Sequence, residues 1–84
     1  MLVTKLTVGL PRGLQARNTT IFVFTARSFN SDVILSKSSN SSDGKEIMKV
    51  MDLNVSNGDE VTLYVNGENE MTCMDTLNNF LLDK

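Results

Sequence analysis

A glutamine and an arginine two residues apart, in the run Gly13-Leu14-Gln15-Ala16-Arg17, stand where this chain could hold an anion. The run follows a strand-like opening and leads into a longer segment of helical periodicity, which puts Gln15 at a helix N-terminus. There, free backbone N–H groups and the helix dipole favour negative charge. Gln15 can donate a hydrogen bond at such a place and Arg17 can bring a cation. Covalent chemistry is a different matter. The amide nitrogen of Gln15 has its lone pair delocalised into the carbonyl, so it is neither a nucleophile nor a useful base. No histidine exists anywhere in the 84 residues to take over. Two readings stay open: weak binding of a carboxylate or phosphate, or a tolerated polar residue beside a solvated surface charge.

Three further features carry polar chemistry. Glu46 heads the segment Lys45-Glu46-Ile47-Met48-Lys49-Val50-Met51-Asp52-Leu53, where one negative charge at a helix start is favourable by roughly 0.3 to 1 kcal/mol. It reads equally well as an ordinary solvated acid. The stretch from Ser36 to Asp43 contains five serines, and their density is the only argument for a phosphoacceptor there. Cys73 is the single cysteine and has no base or metal partner near it in sequence, so it reads as a small apolar residue on a helix face. No metal or cofactor is expected.

Composition narrows the function classes. A chain of 84 residues falls in the size range of one domain, about 50 to 200 residues, with a modest two-layer core. Eight basic and ten acidic residues are dispersed along it for a formal charge of −2, which offers no electrostatic footprint for nucleic acid or an anionic membrane. No apolar run approaches the roughly 20 residues that span a bilayer, and the first residues lack a secretory signature. With a lone cysteine, this points to a reducing compartment and a cytoplasmic protein.

The elements that must position these residues follow from periodicity. Leu2, Thr4, Leu6 and Val8 alternate with Val3, Lys5 and Thr7, a half-buried strand, and Gly9 to Gly13 is a turn around Pro11. Between Ala16 and Phe29 local propensity and pattern conflict. Thr19, Thr20, Ile21, Phe22, Val23, Phe24 and Thr25 are mostly β-branched or aromatic, yet Thr19, Phe22, Val23, Ala26 and Phe29 share one helical stripe over a length unusual for a strand. Propensity alone gives a strand; a helix held by tertiary packing is preferred, partly on this stripe and partly on the resemblance that the Gly13 to Arg17 run carries. Asp32 to Ser36 reads as a short strand with Val33 and Leu35 on one face. The serine-rich stretch after it reads as a low-complexity loop with at most a short or frayed edge strand. Ile47 to Leu53 is predicted as a short apolar helix. Glu60 to Asn66 is a strand with Val61, Leu63 and Val65 inward and Thr62 and Tyr64 outward. The last helix, about Asn69 to Leu82, has Met71, Met74, Leu77 and Leu81 on its apolar face.

Two segments in this order resemble one family. Gly13 to Arg17 resembles the phosphorylation turn of the HPr family, the phosphocarriers of the bacterial sugar phosphotransferase system, which reads Gly-[Leu/Ile]-His-Ala-Arg-Pro. Lys45 to Leu53 resembles the family's regulatory segment, Lys-Ser-Ile-Met-x-[Val/Leu]-Met-x-Leu. The two align without a gap between them, and Ala26, Phe29 and the Ser31-Asp32-Val33 run also fit, so the resemblance covers nearly the whole chain. It implies an α+β open-faced sandwich of order β-α-β-β-α-β-α, a four-stranded antiparallel sheet with three helices on one face.

The departures define the functional expectation. Gln15 stands where the family carries phosphate on an imidazole, as in the Crh-type branch of HPr-like proteins, which act in catabolite regulation without carrying phosphate. Asn18 replaces the proline of the first helical turn, a change expected to loosen the turn. Glu46 stands where a kinase phosphorylates serine, at best a partial and permanent mimic, since phosphoserine carries about 1.5 to 2 charges. The resemblance implies docking through Thr20, Ile21, Phe24, Arg27, Ile47, Met48 and Met51, a surface that in the family engages phosphotransfer enzymes and a LacI-type catabolite-control repressor. Expected, then, is a non-enzymatic regulator whose degenerate site is Gln15 and Arg17. A decoy that inhibits photransferase-system enzymes by occupying HPr sites is the rival, and a phosphoacceptor on the loop serines is a third reading.

Overall fold

The computed structural model describes residues 1–84. Its strands are β1 (Leu2–Thr7), β2 (Asp32–Lys37), β3 (Asn40–Asp43) and β4 (Glu60–Asn66), and its helices are α1 (Ala16–Arg27), α2 (Ile47–Met51) and α3 (Glu70–Leu82). The last strand in sequence is central in space. β4 pairs antiparallel with β1 on one side and β2 on the other, giving the order β1-β4-β2-β3. Leu6 lies opposite Val61, and Val33 and Leu35 lie opposite Val65 and Leu63, so one face of the sheet is a continuous apolar surface. All six are buried, together with Phe22, Val23 and Ala26 of α1 and Cys73, Met74, Leu77 and Leu81 of α3. The three helices cover that face, and the other stays open, with Val3 and Ile34 exposed.

The conflict in α1 is resolved by burial. Thr19, Phe22, Val23 and Ala26 are buried on one stripe, while Ile21 and Phe24 point away from it, so a strand, whose side chains alternate, could not bury this set. Thr19 suits the interior because its hydroxyl donates to Leu14 O at 2.7 Å. The helix ends at Arg27, and Phe29 packs half-buried just beyond it.

Three expectations need correction. Met71 is 71 % exposed, and Cys73 takes the core position instead. At 3.6 residues per turn Met71 lies about 100° from the centre of the Cys73, Met74, Leu77 and Leu81 stripe. The second helix stops at Met51 rather than Leu53, because Leu53 and Asn54 turn back through N–H bonds to Val50 O and Met51 O, and Asn54 takes a left-handed φ of 52°. In the serine-rich stretch the loop reading fails and the short edge strand stands: β3 pairs four residues with β2 through a hairpin whose tip is Ser38 and Ser39. None of the β3 residues is fully buried, which is why apolar periodicity could not announce it.

Candidate functional site

Gln15 is the N-cap residue of α1, with extended backbone geometry (φ −83°, ψ 177°) and a side chain that makes no capping bond. It is exposed. Its carbonyl accepts the first helical bond from Thr19 N–H at 2.8 Å, while the N–H groups of Ala16, Arg17 and Asn18 have no backbone acceptor. No acidic side chain lies in the first turn to neutralise them. Arg12, Gln15, Ala16, Arg17 and Asn18 line an open cleft of about 490 Å³, and neither arginine takes part in an ion pair. The sequence placed Gln15 and Arg17 correctly at a helix start; Arg12 is an addition that only the turn geometry reveals.

The turn before Gln15 is built on residues from distant segments. Gly13 has φ 57°, and a Cβ on it would lie 2.3 Å from Val55 O, so only glycine permits this approach. Leu14 N–H then donates to Val55 O at 2.9 Å, and Asn57 Nδ2 donates to Leu10 O at 3.0 Å. Asn18 does not loosen this turn. Its Nδ2 donates to Gly13 O at 2.8 Å, a bond that a proline could not make, and with the Thr19 bond it satisfies two successive carbonyls ahead of the helix. The loop from Leu53 to Asp59 is in turn held by Lys37, whose ammonium donates to Asn54 O at 2.7 Å and pairs with Asp59 Oδ2 at 2.8 Å. Asp59 also accepts Ser56 N–H at 2.8 Å, and these partners, Lys37 first, hold its carboxyl below the ordinary carboxylate range.

The helices α1 and α2 run in opposite directions along one side of the molecule. At one end Gln15 and Met51 line a common cavity of about 210 Å³ with Leu14, Ala16, Asn54, Val55 and Ser56. At the other end Arg27 reaches the residue before Glu46, its Nε donating to Lys45 O at 2.7 Å. Gln15 and Glu46 therefore lie at opposite ends of the helix pair. Glu46 is the exposed N-cap residue of α2; its carbonyl accepts Val50 N–H and its side chain makes no capping bond. Between these ends Ile21 is 42 %, Phe24 58 % and Met48 68 % exposed, with Ile47, Met51 and Thr20 half-buried. None of the apolar members is fully buried, although Ile47 packs against the core, whereas Val50, on the same short helix, is fully buried. Cys73 is buried and free, and burial pushes its thiol above the ordinary range. Three of the five loop serines are committed locally, Ser36 and Ser41 sharing a hydrogen bond at 2.5 Å and Ser42 donating to Lys49 O at 2.8 Å, while Ser38 and Ser39 are exposed at the hairpin tip.

An open-faced sandwich with a glycine-containing turn capping α1 and a short second helix beside it defines the class, and comparison with known proteins agrees. Residues 2–83 match the family described as PTS HPr component phosphorylation site, and the chain belongs to the HPr family. Among curated proteins it is similar to the HPr-like protein Crh of Bacillus subtilis, 44 % identical over 77 residues, covering 92 % of this chain and 91 % of that one. Among solved structures, the phosphocarrier protein HPr of Bacillus anthracis superposes with a TM-score of 0.92 at 28 % identity, covering 95 % of both chains. The Bacillus subtilis Crh crystal structure, described as a domain-swapped dimer, superposes with a TM-score of 0.79 at 41 % identity, covering 99 % of this chain and 95 % of that one. The relatives make this a regulatory HPr-like protein.

Proposed function

We propose that this chain is a non-catalytic, cytoplasmic regulator of carbon catabolite control that cannot carry phosphate on an imidazole and acts by docking a protein partner with its α1 and α2 face. The observation that carries the reading is Gln15 in a turn that retains Gly13, Leu14, Ala16 and Arg17 of the family pattern. The cleft, the free N–H groups and Arg17 are present, while an amide stands where the resemblance places the group that accepts the phosphoryl bond. Ile21, Phe24, Ile47, Met48 and Met51 supply apolar contact area, and methionine suits adaptable contacts. Thr20 and Arg27 border them. Glu46 presents a fixed negative charge at the end away from Gln15, which suits a LacI-type catabolite-control repressor that reads charge at this place. Such a partner would be engaged without direct contact of this chain with DNA.

Two assays test the reading. Incubation with enzyme I and phosphoenolpyruvate leaves no acid-labile phosphate on the protein by intact mass, and Gln15→His restores some transfer. A phosphoramidate on the unaltered chain refutes the first half. Titration calorimetry then compares a LacI-type repressor with enzyme I. Binding to the repressor supports the regulator; binding only to enzyme I replaces it with a decoy that blocks phosphotransferase-system enzymes.

A further inference from the structure

Two cations cross the seam between α1 and α2, and each ends on a carbonyl of the other side. Arg27, the last residue of α1, donates from Nε to Lys45 O at 2.7 Å, and Lys45 Nζ donates back to Phe29 O at 2.8 Å. Phe29 lies just past the C-terminus of α1, where carbonyls lack helical partners and the dipole is negative, so an ammonium is well placed there. The guanidinium meanwhile holds the peptide that leads into α2. These are the only hydrogen bonds between the α1 segment and the α2 segment.

The second helix depends on such supports. Five residues are too few for a stable helix in water, and Val50 alone among them is fully buried. Its other polar ties run to β3, through Glu46 N–H to Asp43 O and Ser42 Oγ to Lys49 O, and β3 itself buries no residue fully. The position of Glu46, Ile47 and Met48 relative to Phe24 is therefore held at the seam, while the Met51 end is fixed by the buried Leu53 and Val55 and by the Leu14 N–H bond to Val55 O.

We infer that Arg27 and Lys45 form a reciprocal clamp that presets the spacing of the two halves of the docking face, and that Arg27 acts on binding through the Lys45 carbonyl and not by touching the partner. The effect on affinity rests on the docking function proposed above; the clamp itself does not. A face that is assembled only part of the time binds more weakly by the assembled fraction. Loss of the clamp to about one half or one tenth assembly thus lowers affinity about twofold to tenfold.

Hydrogen exchange followed by NMR tests the clamp without any partner. In Arg27→Met and in Lys45→Met, the amides of Val50 and Asp52, which close α2 on Glu46 O and Met48 O, should exchange about tenfold faster while β4 amides keep their rates. Arg27→Lys retains a donor on a long stem and should restore most of the protection. The double Met variant should exceed neither single variant by the product of their effects, since both bonds serve one seam. Unchanged α2 exchange in both single variants overturns the clamp. Calorimetry with a LacI-type repressor completes the test: Arg27→Met should cost twofold to tenfold in affinity at both low and high salt. A loss confined to low salt identifies a direct charge contact and overturns the positioning role. If the unaltered protein does not bind, the docking function fails, while the exchange data still decide the clamp.

Discussion

Replacing Gly13 with alanine separates what the backbone demands at the site turn from what its neighbours demand. Two terms act there. A non-glycine residue at φ 57° pays the left-handed penalty, about 1 to 2 kcal/mol. The new Cβ would also sit 2.3 Å from Val55 O and 2.6 Å from Ser56 Cα, both backbone atoms that cannot rotate aside. The turn must then move off the loop, and the Leu14 N–H to Val55 O bond is lost or stretched, a further 0.5 to 1.5 kcal/mol or so. The sum is about 1.5 to 3.5 kcal/mol. Gly58 is the control, because it has a positive φ of 90° but nothing within 4 Å of its Cβ position. Gly58→Ala should therefore pay only the backbone term. Thermal and urea unfolding of the two variants, with a small domain losing about 4 to 8 °C per kcal/mol, should place the Gly13→Ala thermal midpoint roughly 2 to 12 °C below that of Gly58→Ala. Equal midpoints, or a lower one for Gly58→Ala, would show that the close approach of the turn to Val55 does not exist in solution.

Further expectations follow from the same geometry. Phe24→Ala should change stability by only about 0.5 kcal/mol, because the ring is 58 % exposed, whereas Phe22→Ala, fully buried, should cost about 3 to 5 kcal/mol; urea denaturation that ranks them in the opposite order would remove the exposed patch. Glu46→Gln should weaken repressor binding by roughly 1 to 2 kcal/mol through the loss of a charged hydrogen bond, and Glu46→Ser should make binding depend on a serine kinase; calorimetry giving one affinity for all three proteins would reduce Glu46 to a surface acid. The Asp59 carboxyl is lowered in the folded state by Lys37 and Ser56, so its contribution is fully present above the unfolded value near pH 4 and disappears as pH falls through the lower folded value. Lys37→Met should therefore destabilise the protein most at pH 7, and the gap should narrow as Asp59 protonates below pH 4 to a remainder set by the lost Lys37 bond to Asn54 O, which denaturation curves at pH 7, 4, 3 and 2 will check.

What the chain declares by itself is local in origin. Alternation in Leu2 to Val8 and Glu60 to Asn66, and the stripe from Thr19 to Ala26, report one buried face each, because burial imposes its period on sequence wherever apolar side chains do the holding. The chemistry excluded at Gln15 is also local, since it depends on the electronic structure of one side chain. Tertiary structure decided the rest. β3 lies beyond sequence patterning because its four polar residues are held by backbone pairing to β2, and Met71 left the apolar stripe because its direction around α3 points past the sheet. The support of the site was equally hidden. Val55, Asn57 and Lys37 hold the Gln15 turn from positions 22 to 42 residues away, and Asn18 tightens it by a bond that only the folded turn brings within reach. Such contacts depend on where two distant backbones come together, and no periodicity in either segment encodes that meeting.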